Sequence, residues 1–566
     1  MSSPTSVADL DLSPLPGKHY RNFERQFSEE FIYFLLVDRF HDGRNRVPSQ
    51  SSAERSAGSG DANQLQDFCG GSLKGVTQNL DYIAGLGCTA IWLSPIFENN
   101  PHSYHGYAIQ NYLDVDPNFG SKQDLADLVD AAHARDMRVI LDVVINHSGD
   151  NWGYTPDTAF FYFEDQRFDV GAFRRSDRPV PLELRNPDFY HRMGQIRNFD
   201  AVPEAQHGDF FSLKDFNNDI DDPANHAAEA LLHVLIQAHC YWLREADVDG
   251  FRVDALKHFG APAAARFSSQ IREYACTLGK RSFCLFGELI AGDDAINRYT
   301  GPSTATQDDK TVFFGLDSVL DFPLYFTLPG VLKGFQGPGG LFNRYEAQRQ
   351  RALNRGELGQ YLVTFVDNHD NPGQQDHARF GAQAPDEQII AGIGYLLCAL
   401  GTPCIYYGTE QGFSGQGAGD FFIREAMFDL DDARLNRLNR NCNVYQQISQ
   451  IAQVYKEQAA LRFGRMYFRE VSGNGRDFGL PQGQPCTLAF SRVIADNEVL
   501  IAYNTSATEA RADFVIVDSG FHKGGDQIQF LYGGAGSVPV HNHPDPGNPS
   551  LSVQLELAPM QFVILR

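Results

Sequence analysis

The run Gly250-Phe251-Arg252-Val253-Asp254-Ala255-Leu256-Lys257-His258 carries a carboxylate at the end of strand-like residues and two basic side chains directly after it. Strand periodicity puts Arg252 and Asp254 on one face and Phe251 and Val253 on the other. A positive charge beside Asp254 favours its ionised form, the state a carboxylate nucleophile needs. The same pair also reads as a structural ion pair on a strand. Three further polar groups, Asn146-His147, Glu288 and Asn368-His369-Asp370, each end an apolar run.

These runs belong to an alternation of strand and helix. Strands are expected at Phe31–Val37, Thr89–Leu93, Arg138–Val144, Gly250–Asp254, Phe283–Gly287, Ser318–Phe322, Leu362–Val366 and Cys404–Tyr407. Helical spacing appears at Thr77–Ala84, broken by Gly85 and Gly87, at Leu125, Leu128, Val129 and Ala132, and over Pro223–Glu245. Eight such strands with helices between them imply an α/β fold, a closed (β/α)8 TIM barrel. The expected division is an arm over 1–25, a barrel over 26–147 and 215–462, and a domain of 148–214 inserted after the third strand. A C-terminal antiparallel β-sandwich domain follows over 463–566, where helical period gives way to runs such as Val499-Leu500-Ile501-Ala502-Tyr503.

In such a barrel the polar residues just past the strands share one rim. Asp254, Glu288, Asp370, His147 and His369 therefore converge. Retaining glycoside hydrolysis uses two carboxyls about 5–5.5 Å apart, one a nucleophile and one a protonated acid, a reach that neighbouring strand ends provide. The apolar run before Glu288 favours its neutral form by desolvation.

Composition narrows the partners. With 71 acidic and 47 basic residues among 566, the formal net charge is −24, which disfavours nucleic acid and anionic membranes and suits a neutral substrate. Nine cysteines without C-x-x-C spacing indicate neither a disulfide framework nor a zinc cage. The N-terminal residues show no basic and apolar signal pattern, so a cytoplasmic protein is expected; a secreted chain trimmed of its signal would look the same.

Asp142-Val143-Val144-Ile145-Asn146-His147, Gly250 to His258, Gly287-Glu288-Leu289 and Phe365-Val366-Asp367-Asn368-His369-Asp370 resemble, in order, the four motifs of the α-amylase family, glycoside hydrolase family 13. Tyr104-His105-Gly106-Tyr107 and Leu213-Lys214-Asp215 add to the resemblance. It implies Asp254 as nucleophile, Glu288 as general acid and base, and Asp370 as transition-state stabiliser. It also implies sugar contacts from His105, Tyr107, His147, Arg252, Lys257, His258 and His369. Ala108 stands where relatives often carry Trp, which implies a more open wall there. A structural calcium ion is implied at Asn146, Asp215 and the carbonyl of His258. Asn371-Pro372-Gly373 lacks the basic residue of a chloride site.

The activity expected is hydrolysis of α-1,4 bonds in starch-derived glucans or malto-oligosaccharides through a covalent glucosyl-enzyme. A glucanotransferase is the alternative, with Phe259 as the aromatic acceptor platform and Trp152 of the insertion next in line. A catalytically silent carbohydrate-binding relative is a third reading, against which the intact trio of carboxylates argues.

Overall fold

In the computed structural model, which describes residues 3–49, 60, 63–155, 162–164, 166–174, 178–303, 313–349, 352–353, 356–374, 378–415, 417, 419–543 and 550–566, the apolar runs form one parallel barrel. Its strands are β1 (Ile32–Leu35), β2 (Ala90–Leu93), β3 (Arg138–Val143), β4 (Gly250–Val253), β5 (Cys284–Gly287), β6 (Ser318–Val319), β7 (Val363–Thr364) and β8 (Thr402–Tyr406). Hydrogen bonding runs β6-β5-β4-β3-β2-β1-β8-β7. A parallel bridge between Leu320 and Val363 joins the two ends of that order and closes the ring. Every residue of these strands is buried, because helices cover one face and the barrel interior the other; their near-continuous apolar sequence follows. Register sets Arg252 level with Asp142 on one side and Phe286 on the other.

The helices are α1 (Leu80–Leu86), α2 (Lys122–His133), α3 (Glu204–His207), α4 (His226–Ala246), α5 (Ala261–Thr277), α6 (Asp386–Cys398) and α7 (Asn443–Glu457), among shorter turns. Gly85 does not break α1, as its type suggested. A side chain there would meet the Tyr445 hydroxyl at 2.7 Å, so the glycine lets α7 approach. Gly87, at φ +103°, ends the helix in a left-handed cap. The sixth strand is shorter than expected because the Asp321 carboxylate accepts from Leu324 N at 3.1 Å and caps a helix over Phe322–Tyr325.

The insertion after β3 is closed at its neck by a two-stranded ladder, His147–Ser148 against Lys214–Asp215. Within it, Trp152–Thr155 pairs with Asp169–Phe173. Trp152 is fully buried, with its ring 4.9 Å from Tyr154, 5.4 Å from Tyr190 and 4.9 Å from Lys214 Nζ. It is the insertion's core rather than a platform on its surface.

Nine antiparallel strands from Arg465 to Leu565 form the C-terminal sheet. Strands from both halves of its order share one small core, including Leu500, Val515, Val553 and Val563. The sheet seats on α6, where Tyr395 meets Phe490 edge-on at 5.3 Å and Arg492 Nη1 donates to the Cys398 carbonyl at 2.9 Å. All nine cysteines are free thiols. No helix among the described residues is long and apolar enough to cross a membrane.

Candidate active site

The barrel's C-terminal rim and the insertion enclose a cleft of about 780 Å³, lined by Asp254, Glu288 and Asp370 together with His105, Tyr107, His147, Lys257, His258 and His369. Asp254 follows β4 directly, and its backbone N–H donates to the Val143 carbonyl at 2.9 Å. Ala255 turns the chain at φ +48°, a left-handed conformation rare for a residue with a side chain. Its backbone N–H then donates to Glu288 Oε2 at 3.1 Å. The sharp turn after Asp254 thus also positions Glu288.

Arg252 lies beneath both carboxylates with no solvent exposure. Its Nη1 is 2.6 Å from Asp254 Oδ1 and 2.8 Å from Asp142 Oδ1, and its Nη2 is 3.1 Å from Glu288 Oε2. It does not line the cleft; it acts on substrate only through the groups it holds. Asp142 also accepts from the Tyr107 hydroxyl at 2.9 Å and from Trp92 Nε1 at 3.1 Å. The family resemblance spans Asp142, but nothing in its local sequence separates it from an ordinary buried aspartate. Only the register of β3 against β4 reveals that it shares Arg252.

The three cleft carboxyls differ in protonation. Burial raises Asp254 to about 6 against the opposing pull of Arg252, so desolvation overcomes the charge effect expected from sequence while leaving the group mainly ionised at neutral pH. Burial raises Glu288 further, to about 7, with Arg252 again opposing and Asp254 and Asp370 adding to the rise. For Asp370 burial also acts upward, but His369, Arg424 and Arg252 outweigh it and hold the carboxyl below the usual range. Arg424 Nη2 donates to Asp370 Oδ1 at 2.6 Å and Nε to the His369 carbonyl at 2.9 Å. Arg424 lies far along the chain from every motif. No sequence signal marks it.

Burial keeps the cleft imidazoles neutral, His105 and His369 near 3 and His147 and His258 near 4. A neutral imidazole offers one donor and one acceptor, which suits hydroxyl groups. Tyr107 stacks on His369, with centroids 5.3 Å apart and planes at 15°. Lys257 Nζ pairs with Asp200 of the insertion. His258 Nδ1 meets the Ala205 carbonyl at 2.5 Å.

Phe259 is corrected by the structure. It is fully buried and its side chain packs in the hydrophobic core, away from the cleft, because the turn after β4 ends there and the chain enters α5. The aromatic wall comes instead from Phe199, Phe210 and Phe211 of the insertion, and Phe211 is 65% exposed.

Among the residues implied for calcium, Asn146 keeps an acceptor open. Asn146 Oδ1 is buried with no hydrogen-bond partner, while its Nδ2 lies 3.2 Å from Asp215 Oδ1. Burial pushes Asp215 up to about 8 even with His191 beside it. A buried acceptor without a donor, beside a carboxyl whose anion burial disfavours, fits an oxygen-seeking cation.

The family model described as "Alpha amylase, catalytic domain" matches residues 34–460. The chain is 29% identical over 591 residues to an alpha-amylase of Streptomyces lividans, covering 91% of this chain and 59% of that one. It is also 29% identical to a cyclomaltodextrin glucanotransferase of Klebsiella oxytoca over 72% of this chain and 62% of its relative. The chain therefore spans about three fifths of the length of these two relatives. Among solved structures, an alpha-amylase from Geobacillus thermoleovorans complexed with acarbose superposes with a TM-score of 0.68 at 26% identity, covering 96% of this chain and 99% of that one.

Proposed function

Because the chain belongs to the alpha-amylase family, we propose that it is a retaining glycoside hydrolase cleaving α-1,4-glucosidic bonds in malto-oligosaccharides and starch-derived glucans. One observation carries this reading: the Arg252 guanidinium contacts Asp254 and Glu288 at once, holding two carboxyls of different acidity side by side.

In the first step Asp254 attacks the anomeric carbon as the Glu288 proton passes to the leaving glycosidic oxygen. The C–O bond to the leaving sugar breaks and an ester to Asp254 forms. In the second step Glu288, now ionised, takes a proton from water as the water oxygen attacks the same carbon and the ester breaks. General acid–base transfer of this kind contributes about 10²- to 10⁴-fold. Asp370, kept ionised by Arg424 and Arg252, receives sugar hydroxyls and stabilises the positive charge that develops as the ring flattens. His105, His147 and His369 offer hydrogen bonds to the sugar, with Tyr107 as its stacking face.

A calcium ion would be held by Asn146, Asp215 and the His258 carbonyl. Asn146 and Asp215 flank the neck of the insertion, so the ion's contribution would be to fasten that neck.

Transfer to a sugar acceptor is a second activity of the same intermediate, favoured by the aromatic wall of half-buried Phe199 and exposed Phe211. Incubation with maltoheptaose, with products resolved by chain length, tests both readings. Shortened chains alone indicate hydrolysis, and a ladder extending above seven units indicates transfer. An unchanged substrate would remove the enzyme reading.

A further inference from the structure

Outside the cleft, the insertion brings two histidines onto one carboxylate of the segment that leads into α4. His191 Nε2 lies 3.2 Å from Asp219 Oδ2, and His207 Nε2 lies 3.3 Å from the same oxygen. The two imidazole centroids are 4.3 Å apart. One ligand atom from each of the three residues falls within 4.8 Å of the other two.

The two separations from Asp219 Oδ2 match edges of a coordination polyhedron. A tetrahedral ion with bonds of 2.0–2.1 Å sets its ligand atoms about 3.3–3.4 Å apart, the spacing of both nitrogens from Asp219 Oδ2. His191 is also oriented from behind, since its Nδ1 lies 2.5 Å from Asp215 Oδ2. Nε2 is then the ring nitrogen left facing Asp219. A carboxylate behind a histidine is the usual support of an imidazole ligand.

We propose that His191, His207 and Asp219 bind a zinc-class divalent cation. Two imidazoles and a carboxylate favour zinc and its neighbours over calcium, which prefers oxygen alone. The set is thereby distinct from the oxygen donors of Asn146 and Asp215. Asp219 and His207 keep 36% and 25% of their side-chain surface exposed, which leaves water room to complete the coordination.

The ion would act on the cleft by clasping α3. His207 ends that helix, and its Ala205 carbonyl receives His258. Phe210 packs edge-on against His258 at 4.5 Å. Fastening α3 to Asp219 therefore steadies one wall of the sugar-binding cleft.

The test uses the untagged full chain, freed of metal by a chelator and returned to buffer holding excess calcium, with Zn²⁺ and Co²⁺ as probes. Expected are one tight equivalent of Zn²⁺ by calorimetry, a rise in melting temperature, and the intense visible absorption of tetrahedral Co²⁺. His207→Asn and Asp219→Asn should each abolish the Co²⁺ band and weaken Zn²⁺ binding at least 10-fold, with circular dichroism unchanged. His207 is partly exposed, so at least that variant should fold. Wild-type protein without a stoichiometric Zn²⁺ site, or variants that bind Co²⁺ as wild type does, would overturn the proposal.

Discussion

Arg424 and Asp370 meet at 2.6 Å across 54 residues of chain, while the Nε of the same guanidinium holds the His369 carbonyl at 2.9 Å. The contact keeps ionised the carboxylate proposed to receive sugar hydroxyls. A hydrogen bond to a charged group is worth about 1.5–3 kcal/mol, so Arg424→Gln should lower kcat/KM for maltoheptaose by about 10- to 100-fold, chiefly through kcat. Steady-state kinetics with parallel melting curves separate this from a loss of fold. Unchanged kinetics would remove Arg424 from the site.

Asp254→Asn should abolish turnover while the chain stays folded, since it removes the nucleophile. Glu288→Gln should lower both kcat and kcat/KM severely on malto-oligosaccharides, whereas on glucosyl fluoride, whose leaving group needs no proton, kcat/KM should be nearly spared while kcat falls because water has lost its base. Measuring both substrates with both variants decides the roles. If Asp254→Asn kept near-normal activity, the assignment would be wrong.

The acidities set a narrow pH profile. Activity needs Asp254 ionised, so it falls as pH drops through about 6, and needs Glu288 protonated, so it falls as pH rises through about 7. The two limbs are macroscopic values of an interacting pair. In Glu288→Gln assayed on glucosyl fluoride the alkaline limb should vanish and the acid limb persist. An alkaline limb that survives this substitution points to another acid.

The calcium reading predicts that EGTA lowers the melting temperature and loosens the insertion before the barrel, and that added Ca²⁺, but not Zn²⁺, restores both. An ion present at 100 times its dissociation constant adds about 2.7 kcal/mol to the folded state. Asp215→Ala should mimic the chelator, and hydrogen exchange over 148–214 reports the loosening. Metal analysis that finds no calcium, with melting indifferent to EGTA, would discard the site.

Two phenylalanines should separate stability from acceptor binding. Phe259 is fully buried, so Phe259→Ala should destabilise by about 3–5 kcal/mol without changing the ratio of transfer to hydrolysis in whatever protein folds. Phe211 is 65% exposed in the cleft, so Phe211→Ala should leave melting nearly unmoved and reduce the products longer than maltoheptaose. The opposite pattern would return the acceptor role to Phe259.

The barrel and its carboxylate rim were legible in the chain because both rest on local signals. A parallel strand buried on both faces must be a continuous apolar run, and a residue that acts at the rim must follow it directly, as Asp254 follows Val253 and Glu288 follows Gly287. What depended on distant contacts was not legible. Arg424 and Asp142 reach the site only through the closed ring and its register, and Gly85 is explained only by a tyrosine hydroxyl of α7. Phe259 and Trp152 looked suited to stacking sugars because sequence shows that a ring is aromatic but not which way it faces. Tertiary packing turned both into core and gave the cleft wall to Phe199, Phe210 and Phe211. It likewise set the acidities: the charge of Arg252 is local and readable, whereas the desolvation that outweighs it at Asp254 comes from everything the fold stacks around the site.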